Sequence, residues 1–172
     1  MLTAKLRKQM IINKLIDCSE PQKGSALAKE LGVTRQVIVK DIALLRAEGN
    51  NIIATPDGYI IEKNATNRIN RVIAVNHHID EMEDELATII RYGGVIEDVV
   101  VEHPLYGEIR AMLKLRNLND LSNFVDKFNN LKATPLSSLT GGVHIHTIST
   151  ETEENMLLIL NELKNKKYLI TE

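Results

Sequence analysis

The sequence predicts an α+β protein in two unequal parts: three helices and a β-hairpin first, then strands and helices in the order β-α-β-β-α-β-α. Three observations predict it. Apolar residues recur at helical spacing up to Gly49, and beyond it the spacing switches repeatedly between helical and alternating. A polar stretch, Lys63–Asn67 (KNATN), separates the two patterns and reads as a linker. The charge divides there too: residues 1–63 carry ten Lys and Arg against seven Asp and Glu, the remainder eleven against sixteen.

Residues 3–17 set Leu6, Met10 and Leu15 at helical spacing and predict the first helix. KGSALAKELG predicts a short second helix, capped by Ser25, ended by Gly32, with Leu27, Ala28 and Leu31 facing inward. After a tight turn at Gly32-Val33, Thr34 caps a third helix, TRQVIVKDIALLRAEG, which stops at Gly49. Ile38, Ile42 and Leu45 form its inner stripe, and Gln36, Lys40, Ala43 and Ala47 the opposite face. NNIIATPDGYIIE then gives two short β-rich runs around Thr55-Pro56-Asp57-Gly58, where Pro56 fixes φ and Gly58 releases strain. Three helices and a hairpin in this order are the layout of a winged helix-turn-helix, assigned to residues 1–63.

In residues 68–172, RINRVIAV reads as a strand, IDEMEDELATIIRYGG as a helix ended by Gly93-Gly94, and VIEDVVVEH and EIRAMLKLR as strands. NDLSNFVDKFNNLKA reads as a helix, GGVHIHTIS as a strand and TEENMLLILNELKNKK as a last helix. The expected architecture is an open-faced sandwich: one antiparallel sheet with helices on one face.

Composition narrows the class. Hydrophobic content of 44% and charged content of 26% are ordinary for a soluble globular protein. Aromatics at 3% with no Trp require an aliphatic core. No run reaches the length of a membrane span, and the first residues lack the apolar core of a signal peptide. A single cysteine, Cys18, excludes an intrachain disulfide and fits a reducing compartment, so a cytoplasmic location is expected.

A recognition helix enters the major groove by its amino-terminal end. There the third helix offers Thr34, Arg35 and Gln36, with Lys40 one turn on. Arg can read guanine and Gln adenine through paired hydrogen bonds, so double-stranded operator DNA is the expected partner.

The second part concentrates histidines. His144 and His146 lie one residue apart in TGGVHIHTIS. At strand spacing their imidazoles share a face roughly 6–7 Å apart, a geometry suited to a divalent metal. A third ligand can come from His77 or His78, and a carboxylate from Glu83 or Glu85, which flank the apolar stripe of the following helix on either side. Spacing does not choose between those two. On one continuous helix, His77 and Glu85 would stand about 12 Å apart, so they converge only if His77 lies in the connection. The fifth histidine, His103, sits in a Pro-Gly turn with Tyr106 and Arg110 near. Either these three line an effector pocket in which Arg110 attracts a carboxylate, or His103 is bonded to its own turn and Arg110 is exposed on a strand.

The segment TRQVIVKDIALLRAEG resembles the helix-turn-helix of the niacin-responsive transcriptional repressors. NHHIDEMEDEL, GGVIEDVVVEHPLYGEIR and GGVHIHTI resemble their three-histidine domain, named 3H. The resemblance runs over essentially the whole chain. It implies a cytoplasmic homodimeric repressor of NAD-precursor uptake and biosynthesis genes, with nicotinic acid as corepressor. It also implies a divalent transition metal, nickel or zinc, held by histidines and a glutamate. Carried onto this chain, the metal positions are His77, Glu85, His144 and His146; the resemblance thus selects Glu85 over Glu83 and His77 over His78. His78 itself stands where the family commonly has Ser or another polar residue.

Two other functions compete. Three histidines around zinc can activate water, but the sequence places no general base beside them and has no hydrolase motif. A repressor whose signal is the cation itself is not excluded by the sequence.

Overall fold

The structure, a computed structural model, describes residues 2–63 and 67–171. The chain divides into two compact units, Met1–Ala65 and Thr66–Glu172. Of the polar stretch read as a linker, residues 64–66 lie outside the described residues.

The first unit consists of α1 (Ala4–Asp17), α2 (Gly24–Glu30), α3 (Arg35–Ala47) and a hairpin of β1 (Ile53–Thr55) and β2 (Gly58–Ile60). Thr3 and Thr34 cap α1 and α3, each hydroxyl accepting from the third amide beyond it. Ile11, Leu15, Leu27, Ala28, Ile38, Ile42, Leu45 and Ile52 form an aliphatic core.

The first helix forms as predicted, with a buried face that its apolar spacing did not specify, and one predicted cap does not form. Leu6 and Met10 are 53% and 40% exposed, and the inner stripe of α1 is Ile11 and Leu15. Arg7 lies on that stripe one turn before Ile11, and its guanidinium holds the buried Asp41 of α3 through two bonds of 2.5 and 3.2 Å. This ion pair fixes the rotation of α1, which apolar spacing alone left open. Nor does Ser25 cap α2: the helix begins at Gly24 after Lys23, with no side-chain cap bond. The entry to α2 is held instead by Gln22, whose backbone exchanges bonds of 2.8 and 2.9 Å with Tyr59 of the hairpin. Gly58 permits this approach: its φ is +136°, and a Cβ there would lie 2.3 Å from the Gln22 carbonyl oxygen.

The second unit runs β3 (Ile69–Asn76), a 3-10 turn (Ile79–Glu81), α4 (Met82–Arg91), β4 (Val95–His103), β5 (Gly107–Leu115) and α5 (Leu118–Asn130). A second 3-10 turn (Leu136–Thr140), β6 (Val143–Thr150) and α6 (Glu153–Asn165) complete it. The order of strands is β3-β6-β4-β5, antiparallel throughout, so the histidine strand β6 sits inside the sheet. Ile73, Val75, Ile96, Leu113, Leu115 and Ile148 from the sheet share one core with Leu86, Ile89, Leu121, Met156, Ile159 and Leu163 from α4, α5 and α6. All three helices therefore cover one face. Residues beyond α6 lie along the edge of β3, where Asn76 N–H donates to Tyr168 O and Ile170 N–H to Ala74 O.

The ladders of β4 are irregular. Against β6 the register passes from Ile96↔Ile148 to Val100↔Ile145, so β4 carries one extra residue between them. Against β5 it passes from Ile96↔Leu115 to Asp98↔Met112, and there Lys114 adopts a φ of +53°.

Candidate metal centre and nucleic-acid interface

The predicted helix at residue 79 starts as a 3-10 turn, and this detail builds the site. Chain leaving β3 at Asn76 turns through His77 and His78 before α4 begins, with Glu81 accepting from the His78 amide at 2.8 Å. His77 is thereby swung back over the first turn of α4, where Glu85 points into the sheet and is wholly buried. Glu83 is exposed. From the opposite side β6 aims His144 and His146 inward, in register with Val75 and Ile73 of the core.

Four side chains converge. Glu85 Oε2 stands 3.0 Å from His77 Nε2 and 3.8 Å from His144 Nε2, and Oε1 stands 3.5 Å from His146 Nε2. Imidazole rings meet edge to face, with centroids 5.0 Å apart for His77 and His144 and 4.8 Å for His144 and His146. His77 joins the cluster; His78, with an 84% exposed side chain, pairs with Asp80 instead.

The other ring nitrogen of each histidine is pinned to a backbone carbonyl. His77 Nδ1 donates to His78 O at 2.7 Å, His144 Nδ1 to Gly142 O at 2.8 Å and His146 Nδ1 to Asp98 O at 2.6 Å. Neutral rings held in this way turn three Nε2 lone pairs toward one carboxylate. Acceptors facing acceptors in a buried space require a positive charge among them. Protons supply it in the metal-free protein. Burial pushes the imidazoles of His77 and His146 down, but the Glu85 carboxylate outweighs it and raises both above their ordinary value. Burial would raise Glu85, yet the charge of His146 and the close approach of His144, His146 and His77 hold it well below the usual range. Glu85 Oε1 is left buried with no hydrogen-bond partner.

This arrangement fits a divalent metal. His77, Glu85 and His144 can each offer a ligand atom within 4.8 Å of one another, and His146 adds a fourth beside Glu85. Three imidazoles and a carboxylate suit zinc, nickel, copper or iron, and rings pinned at Nδ1 are the usual support for metal-binding histidines. Tyr168 closes one side, edge-on to His77 at 5.5 Å, its hydroxyl donating to Asp84 at 2.8 Å. Burial and that bond push the Tyr168 phenol up to about 12, while Lys166 and Tyr168 hold the Asp84 carboxyl below its ordinary value. None of these supports was visible in the sequence, although the Gly141-Gly142 pair before His144 does signal a close backbone approach: Gly142 has a φ of +102°.

His103, Tyr106 and Arg110 do not join the cluster. His103 Nδ1 accepts from Leu105 and Tyr106 N–H at 3.1 and 3.3 Å, closing its own turn. Arg110 lies in one row with Val100 and Ile145, on the sheet face opposite His144 and His146. Its guanidinium is already engaged by Asp98 at 2.6 Å and Glu108 at 3.0 Å. Both carboxylates that engage Arg110 belong to the domain itself, and the bond of His103 to its own turn is the second of the two readings of these residues.

In the first unit, Thr34, Arg35, Gln36 and Lys40 are all exposed: Thr34 and Arg35 at the amino-terminal end of α3, and Gln36 and Lys40 on its side away from Ile38 and Ile42. Residues 50–61, the hairpin and its flanks, contain Asp57 and no Lys or Arg. Exposed cations of this unit include Lys23 and Lys29 of the α2 region, beside Arg35 and Lys40 of α3.

Residues 7–60 match the family of HTH domains and residues 70–172 the 3H domain family. The chain is 45% identical over 166 residues to the "Probable transcription repressor NiaR" of Thermotoga maritima, covering 96% of this chain and 94% of that one. It is 36% identical over 169 residues to the "Transcription repressor NadR" of Bacillus subtilis, with the same coverage. These relatives are transcription repressors, not enzymes, and among the described residues no helix is long and apolar enough to cross a membrane. With a helix-turn-helix in its first unit, a 3H domain in its second and this identity over nearly its full length, the chain belongs to the NiaR/NadR family of transcription repressors.

Proposed function

We propose that this protein is a cytoplasmic homodimeric repressor of genes for niacin uptake and NAD-precursor synthesis, with nicotinic acid as corepressor. The first unit, residues 1–63, binds operator DNA through Thr34, Arg35, Gln36 and Lys40. The second, residues 68–172, dimerises, senses the effector and holds a divalent transition metal, nickel or zinc, through His77, Glu85, His144 and His146. One observation supports this reading: three imidazoles pinned at Nδ1 turn their Nε2 atoms toward a single buried carboxylate. A bound cation supplies a Lewis-acidic position that a carboxylate can occupy.

A corepressor tightens DNA binding only if it binds the DNA-competent arrangement better than the incompetent one. Nicotinate should therefore raise operator affinity, by roughly 1–3 kcal/mol of coupling, and operator DNA should raise nicotinate affinity by the same factor. Nicotinamide lacks the carboxylate and should be the poorer effector. The test titrates operator binding with nicotinate, nicotinamide and metal separately, on wild type and His146→Ala. Equal affinity with and without nicotinate in the metal-loaded wild type would defeat the corepressor reading; a response to metal alone would make the cation the signal.

A further inference from the structure

Asp98 stands in the irregular stretch of β4 between Ile96 and Val100 and bonds to β6 in two ways. Its carbonyl accepts from His146 Nδ1 at 2.6 Å on the helix-covered face. Its carboxylate accepts from Thr147, the next residue of β6, through the backbone N–H at 2.8 Å and the hydroxyl at 3.1 Å. The side chain is 3% exposed and also receives Arg110 Nη1 at 2.6 Å. In a regular antiparallel ladder the Thr147 amide would take a carbonyl of β4. Here the carboxylate takes it, and the carbonyl remains for the imidazole.

We propose that Asp98 is the positioning residue of His146: its carboxylate substitutes for its own carbonyl in the ladder, which frees that carbonyl to hold the ring with Nε2 toward Glu85. The bulge makes this possible, because only an extra residue lets one position of β4 offer both oxygens to β6. Without the carboxylate, the Thr147 amide competes for the Asp98 carbonyl and the ring loses the bond that fixes its tautomer. This inference rests on the cluster being a cation site, but its structural half does not.

The experiment uses the full chain. In wild type freed of metal, in alkaline buffer where the ring is neutral, nitrogen NMR should show His146 carrying its proton on Nδ1. Coupling across the hydrogen bond should connect the Thr147 amide nitrogen to the side-chain carboxyl carbon of Asp98. Coupling to the Asp98 backbone carbonyl carbon instead would overturn the assignment without any variant. Asp98→Asn keeps an acceptor oxygen for Thr147 and should hold zinc affinity within about threefold. Asp98→Ala should mix the His146 tautomers and lower zinc affinity by about 10–100-fold, the range for removing such a support. Equal losses in both variants, or none in Asp98→Ala, would refute the proposal. Failure of wild type to bind zinc would sink the metal reading, while the two NMR measurements would still decide the role of Asp98.

Discussion

Glu85 Oε2 lies 3.0 Å from His77 Nε2 although the two are eight positions apart in the chain. A single helix from His77 onward would hold them about 12 Å apart. The 3-10 turn at Ile79–Glu81 folds the chain back and lets one end of α4 contribute a carboxylate to a site made otherwise by strand-borne and connecting histidines. Removing the pair's partners should therefore release a cation and spare the fold. His144→Ala or His146→Ala should lose most of the bound metal, because the aliphatic core is built from other residues. Elemental analysis of the purified variants checks this, and unchanged stoichiometry would sink the ligand assignment.

The metal-free domain should have an unusual pH profile. His77 and His146 have raised values relative to 6.5, so their contribution to stability is full below about 6.5 and disappears as pH rises through the folded values. Glu85 is lowered relative to 4.5, so its contribution is present above 4.5 and lost as pH falls through its folded value. Metal-free protein should thus be most stable between about 4.5 and 6.5 and weaken as pH rises through the raised histidine values. Protons and cation compete for the same nitrogens, so added zinc should raise the melting temperature more at pH 8 than at pH 6. A shift independent of pH would contradict the cluster's electrostatics.

Gly142→Ala should damage the site from the backbone. A Cβ there would lie 2.6 Å from Asn76 Oδ1 and 2.8 Å from the His77 carbonyl oxygen, at a φ of +102°. The same residue's carbonyl orients His144. A loss of roughly 1–3 kcal/mol in stability is expected from the strained backbone, with zinc affinity down about tenfold. Chemical denaturation and a metal titration read the two effects, and an unaltered variant would show that the close approach is dispensable.

On the DNA side, Arg35→Ala or Gln36→Ala should each cost about 1–3 kcal/mol at one operator position per half-site if the residue reads a base. Operator affinity should also fall steeply with salt, since binding neutralises phosphates. Binding to operators varied one position at a time separates the cases: an equal loss on operator and random DNA would assign the residue to phosphate contact. The hairpin, which lacks a cation, should contribute little to the salt slope, so Asp57→Asn should leave that slope nearly unchanged.

Much of this was legible in the sequence because spacing reports local structure. VIEDVVVEH is β4 residue for residue, and Thr34 caps α3 as its position implies. His144 and His146 share the inner face because alternation leaves them no other choice once Ile148 is in the core. What escaped was set by long-range partners. The rotation of α1 depends on Arg7 finding Asp41, and the entry to α2 on Gln22 finding Tyr59. Choosing Glu85 over Glu83 needed the family resemblance, since both flank the stripe of α4 at similar angles. The carbonyls that pin the three rings belong to backbone positions, to which side-chain patterns are blind.

Because β6 lies between β3 and β4 in the sheet, the ring of ligands cannot close until β6 has been made. Domains generally fold as they leave the ribosome, amino-terminal first. The helix-turn-helix, whose core draws only on residues before Ala65, can thus be finished while the second unit is still an open set of strands. Chains cut short before β6 would keep the helix-turn-helix and lack His144 and His146, half of the cluster.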